Sequence, residues 1–173
     1  WVLYPFAILL AALFSTLVGL ISVRTEGIYT IMITLAISVS FFFFARQNYA
    51  VFNGFQGFAG VDAPSFWGVY WRDPTPFYYL CLAVSAFFFC ATAYGARSTF
   101  GLTLQAIRDN PRRMAALGYS VTAHRVYAFF LAGIVAGTAG VLLVLFNGRV
   151  SPGTIGVDIA IDILVIAVVG GLR

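Results

Sequence analysis

Arg97 to Arg125 reads RSTFGLTLQAIRDNPRRMAALGYSVTAHR, a cationic stretch set between two long apolar runs. Inside it, Asn110-Pro111-Arg112-Arg113-Met114-Ala115-Ala116-Leu117-Gly118 is punctuated as a short helix. Asn110 is suited to cap the free N–H groups, Pro111 fits the first helical position, and Gly118 can take the left-handed conformation past the end. The body is about two turns long. Arg112 and Arg113 then fall in the first turn, where the helix dipole disfavours a cation by up to ~1 kcal/mol. A docking partner carrying acidic groups would offset that cost. The plainer reading is that these arginines only set membrane topology, and the two readings are compatible.

The sequence to either side settles the class. Of its 173 residues, 61% are hydrophobic and 9% charged, outside the range of soluble globular domains. This composition predicts an integral membrane chain. All ten basic residues are arginines, and the net charge of +4 fits loop orientation better than nucleic-acid affinity. No basic patch with interleaved aromatics lies outside the stretch quoted above.

Apolar runs long enough to cross a bilayer are expected at Val2 to Val23, Gly27 to Phe44, Phe77 to Ala96 and Val126 to Phe146, with a fifth beginning at Asp158 and continuing to Leu172. Ala45 to Pro76, with Phe66, Trp67, Tyr70 and Trp71, is expected as a loop at the headgroup level. Asn147 to Val157 carries Ser151-Pro152-Gly153 and is expected as a turn. Alternating the spans places Arg24, Arg97, Arg108, Arg112, Arg113, Arg125 and Arg173 on one side and Arg46, Arg72 and Arg149 on the other, so the first side is predicted to be cytoplasmic. Backbone groups cannot stay unpaired in lipid, and no alternating barrel pattern is present, so the spans must be helices. The expected fold is all-α: a polytopic helical membrane protein of about five spans, one transmembrane domain over residues 1–173, with a cytoplasmic loop at 97–125. Trp1 and Arg173 are read as interior points of a longer protein, truncated at both ends.

Gly133, Gly137 and Gly140 recur along one stripe of the fourth span, beside Ala132, Ala136 and Ala139. Such a stripe lets another helix backbone come close. It serves either as static packing or as a seam that re-packs when the neighbouring short helix moves. Asp158 and Asp162 share a helix face at the outer end of the last span. Two roles stand for them, in a permeation path or as interfacial and helix-capping groups.

Enzyme chemistry finds little purchase. His124 is the only histidine, without cysteine or carboxylate at ligand spacing, so no local metal motif is present. Cys81 and Cys90 lie roughly 13 Å apart along one helix and suit packing better than redox work. Gly-x-Ser-x-Gly and His-Glu-x-x-His are absent, and a chain with no lysine cannot supply a phosphate-binding P-loop lysine.

The run AIRDNPRRMAALGYSVTAHRVYAFFLAGIVAGTAGVLLV, the Ser151-Pro152 turn, Asp162 and the closing Val168-Val169-Gly170-Gly171 resemble the permease subunits of bacterial ABC importers for branched-chain amino acids. Arg24-Thr25-Glu26-Gly27-Ile28-Tyr29 and Asn53-Gly54-Phe55-Gln56-Gly57 are similar to the same family. The resemblance covers nearly the whole chain and is densest from Phe100 to Gly171. It implies a multi-pass subunit of a bacterial inner membrane, surrounded by lipid. Its implied partners are a second permease, two ATP-binding cassette subunits that bind the ATP, and a periplasmic substrate-binding protein. No cofactor, metal or nucleic acid is implied for the chain itself. Arg108, Asp109 and Asn110 match the family's Arg-acid-Asn run, and Ala116, Leu117 and Gly118 its Ala-Leu-Gly. With Arg112 and Arg113, these would form a coupling element seated on the ATP-binding subunit. Pro111, Arg112, Arg113 and Ala115 stand where relatives frequently carry acidic or apolar residues. The competing expectation is an ion-coupled secondary transporter using Asp158 and Asp162, although such carriers place coupling groups near the membrane midplane.

Overall fold

The computed structural model describes residues 3–25, 28–53, 56–60, 73–151 and 157–170. They form α1 (Leu3–Ser22), α2 (Ile28–Gln47), α3 (Tyr49–Phe52), β1 (Phe58–Ala59), α4 (Pro74–Arg97), α5 (Thr99–Asp109), α6 (Pro111–Ala116), α7 (Val121–Asn147), β2 (Arg149–Val150) and α8 (Val157–Val169). Four of the described helices, α1, α2, α4 and α7, are long and apolar enough to cross a membrane. The shortest, α1 and α2, have 20 residues each, about 30 Å at 1.5 Å per residue, which matches a hydrocarbon core. α8 is described over 13 residues. The chain is an all-α polytopic membrane protein.

Its surface shows what solvent it was selected for. Phe87 is 68% exposed and Phe89 74% exposed on α4, and Leu9, Leu10, Leu13 and Leu17 are all exposed on α1. Apolar side chains turned outward along whole helices suit lipid, where burial inside the protein carries no hydrophobic gain. The buried hydrophobic set among described residues is accordingly small: Ala12, Ala45, Phe77 and Ile107.

The helices gather into two compact units. One holds α1 and α4 to α7; the other holds α2, α3, β1, β2 and α8. In the first, α1 and α7 run antiparallel, because Gly19 lies against Phe129, Gly133 against Ala12 and Ser15, and Gly137 against Ile8 and Ala11. α4 also runs opposite to α7, since Phe77 at its start stacks on Phe146 at the far end of α7, with ring centroids 5.2 Å apart. The consequence is that Arg24, just past α1, Arg97, closing α4, and Arg125, opening α7, come to one end of this unit.

In the second unit, Phe52 of α3 meets Phe41 and Phe44 of α2 edge-on at 6.3 and 6.1 Å. Asn53 closes α3 in the left-handed region (φ 56°), which asparagine tolerates better than most residues, and its Nδ2 donates to the Gly57 carbonyl at 3.0 Å. β1 pairs antiparallel with β2, Phe58 opposite Val150 and Ala59 opposite Arg149.

Several boundaries differ from the sequence expectations. Ala45 to Gln47, expected in a loop, continue α2, and the same loop contributes α3 and β1. α4 begins at Pro74, whose ring fits the first helical turn, and α7 begins at Val121. The stretch 97–125, expected to hold one short helix, holds α5, α6 and the first turn of α7. The aromatic cluster Phe66, Trp67, Tyr70 and Trp71 lies outside the described residues, as do Arg72, Pro152, Gly153 and Arg173.

Candidate functional site

The arginine-bearing end of the first unit is built by two sharp turns. At the first, Ser98 closes α4 and opens α5: its Oγ donates to the Gly95 carbonyl at 2.6 Å and accepts from the Gly101 N–H at 3.4 Å. Position 101 must be glycine here, because a Cβ would run into the Gly95 carbonyl and the Ala96 backbone. α5 then buries one large apolar side chain completely, Ile107, at 1% exposure.

Asn110 makes the second turn. Its N–H donates to the Ala106 carbonyl at 3.0 Å, ending α5, while its Oδ1 accepts from the Arg113 N–H at 3.0 Å, capping α6. Pro111 follows at the first helical position. At the other end the Gly118 N–H reaches the Ala115 carbonyl at 3.0 Å and the Tyr119 N–H reaches Met114 at 3.1 Å, with Gly118 at φ +90°. This paired pattern is the Schellman closure, which needs a left-handed residue where Gly118 stands.

Between these caps α6 buries none of its residues. Arg112, Arg113, Ala116, Leu117 and Gly118 are exposed, Leu117 at 67%. Arg108 and Asp109 pair with each other, Nε to Oδ1 at 3.3 Å, both largely in solvent, where such a pair contributes little stability. Neither Arg112 nor Arg113 has a carboxylate partner among the described residues. The result is a rigidly capped helix offering two guanidinium groups, a leucine and a small-residue face outward.

The same unit holds the α1–α7 contact. A Cβ at Gly133 would come within 2.5 Å of Ser15 Cβ and 2.9 Å of Ala12 Cα, and one at Gly137 within 2.9 Å of Ala11 Cβ. Gly140, expected on the same seam, meets nothing among the described residues within 4 Å, because the close approach has ended one turn earlier. Two features carried no signal in the glycine stripe alone. Ser15 Oγ donates to the Phe129 carbonyl at 2.7 Å, joining the two helices, and Gly19 of α1 receives the Phe129 side chain. Ser22, on the same face of α1, is fully buried, and its Oγ has no partner among the described residues.

Asp158 and Asp162 both belong to α8, in the second unit, and Asp162 is exposed.

The profile of the family described as "Branched-chain amino acid transport system / permease component" matches residues 1–173. A protein of Methanocaldococcus jannaschii described as "Probable branched-chain amino acid transport permease protein LivH" is 38% identical over 77 residues, 44% of this chain and 24% of that protein. The matched stretch thus spans about a quarter of that relative's length. No solved structure matches. With a profile covering every residue and four apolar helices of spanning length, the chain belongs to the family of permease components of branched-chain amino acid transport systems.

Proposed function

We propose that this chain is a permease subunit of an ATP-driven importer for branched-chain or related amino acids in a bacterial inner membrane, with α6 as the element that receives the ATP-binding subunit. The observation that carries the reading is α6 itself. It is capped at both ends, buries nothing, and carries Arg112 in its first turn, where it opposes the helix dipole, with Arg113 beside it in a helix so short that this residue belongs to the last turn as well. A carboxylate-bearing cleft on a partner would compensate that opposition. Arg108, Asp109, Asn110, Ala116, Leu117 and Gly118 complete the docking face. The clustering of Arg24, Arg97 and Arg125 at the same end supports a cytoplasmic placement.

The chain performs no bond chemistry in this reading. ATP binds to cassette subunits elsewhere, consistent with a sequence that has no lysine for a P-loop. A second permease completes the pore and a periplasmic binding protein delivers the amino acid. Closure of the cassette subunits moves α6, and the α1–α7 seam re-packs. Asp158 and Asp162 are assigned to the translocation path, so Asp162→Asn should alter uptake while leaving assembly intact.

The test is affinity purification of the full-length tagged permease in mild detergent, as wild type and as the Arg112→Glu, Arg113→Glu double variant. An ATP-binding subunit should co-purify with the wild type and be lost from the variant. A well-behaved wild type that brings down no ATPase would overturn the reading and favour an ion-coupled carrier.

A further inference from the structure

His124 stands at the soft point between α6 and α7. Residues 117–120 form no helix and all four are exposed; the N–H groups of 117–119 bond back to α6 and the Ser120 carbonyl bonds forward to α7, so the backbone between Tyr119 and Ser120 is where a movement of α6 would be absorbed. The His124 side chain bridges it. Its imidazole lies nearly flat on the Phe100 ring, centroids 5.7 Å apart at 15°, and meets Tyr119 edge-on at 6.1 Å. Tyr127 in turn packs edge-on against Phe100 at 5.2 Å. Nδ1 lies 2.9 Å from the Ser120 carbonyl, which can only accept, so Nδ1 carries a proton and the ring is tethered to the start of α7.

The rings come from three different places. Phe100 belongs to the first turn of α5, which Gly101 presses against the end of α4. Tyr119 is the residue whose N–H closes α6 on Met114. His124 and Tyr127 belong to the first turns of α7. One half-buried imidazole therefore touches the terminus of the exposed helix and the roots of both neighbouring helices.

We propose that His124 is a positioning residue that clamps the end of α6 to α5 and α7, so that a displacement of α6 reaches the membrane helices instead of being lost in the link between Tyr119 and Ser120. The proposal rests on α6 being the docking element. It also accounts for histidine at this place: phenylalanine would keep the stacking and lose the Nδ1 tether, asparagine would keep a donor and lose the stacking, and histidine supplies both.

The experiment uses the full-length permease assembled with its ATP-binding subunits and binding protein in liposomes, and reads ATP hydrolysed per isotope-labelled leucine, isoleucine or valine taken up. His124→Asn should raise that ratio roughly two- to tenfold, the population shift expected when aromatic pairs of ordinary strength are removed, with the KM for ATP unchanged. His124→Phe should recover most of the coupling. Should His124→Asn misassemble, Tyr119→Leu carries the test, since Tyr119 is 47% exposed and its loss removes one wall of the clamp; Tyr119→Phe is its conservative control. Wild-type ratios in assembled His124→Asn and Tyr119→Leu complexes would overturn the clamp and leave the importer reading standing. A wild-type permease that never assembles with an ATPase would overturn both.

Discussion

α7 keeps its place through contact, with Gly133 buried against Ala12 and Ser15 of α1, whereas α6, the helix just before it, buries no residue and is closed by hydrogen bonds at its two ends. The difference is one of where stability comes from. A helix held by its neighbours has its surface committed, and any added atom at the contact is felt throughout. A helix held by its own caps keeps every side chain available. Two adjacent segments of one chain thus divide the labour between a packed joint and a presented surface.

Gly133→Leu tests the packed side most severely. Its Cβ would begin 2.5 Å from Ser15 Cβ, so α1 must move away, and overpacking of this kind costs roughly 1–3 kcal/mol. A fall in thermal stability in detergent is expected, and an unchanged melting profile would mean that α1 does not seat there. Asn110→Ala addresses the capped side. Loss of its side-chain bond to the Arg113 N–H should cost about 1 kcal/mol, confined to α6, and speed amide exchange at Arg113 roughly fivefold without moving global melting. If melting falls and exchange at Arg113 does not change, α6 is held by packing after all.

Ser15→Ala removes the interhelical bond to Phe129, and hydrogen bonds between membrane helices average about 0.6 kcal/mol, so a small fall in stability is expected, visible only against a paired wild-type control. Gly140→Leu should have the smallest effect, within about 0.5 kcal/mol of zero, because nothing described lies within 4 Å of the added Cβ. Equal damage from Gly133→Leu and Gly140→Leu would erase the distinction between the seam and the open part of α7.

Much of this was legible in the residues, and the failures have physical reasons. The spans followed from length and apolarity, and α6 followed from Asn110, Pro111 and Gly118, since cap chemistry is local and residue-specific. α5 was not legible, because its start, Thr99-Phe100-Gly101, carries a glycine that reads as a breaker and is required by the approach of the Gly95 carbonyl. Two-residue strands such as β1 and β2 are too short to leave any periodicity. The glycine stripe announced a close approach without naming the partner helix. The signal for the partner was present in α1, where Ala12, Ser15, Gly19 and Ser22 put small side chains on one face at helical spacing.

The Ser15 to Phe129 bond spans 114 positions of sequence, which has a consequence for how the protein is made. At synthesis rates of about 5–20 residues per second, Ser15 is made roughly 6–23 s before the carbonyl it will bond exists. During that interval its small-residue face must be tolerated by lipid or by the insertion machinery. Hydroxyls on a lone membrane helix can bond back to a carbonyl one turn earlier, as Thr16 does with Ala12. Ser15 has the same recourse while it waits, so α1 can be inserted before α7 is made and paired with it afterwards.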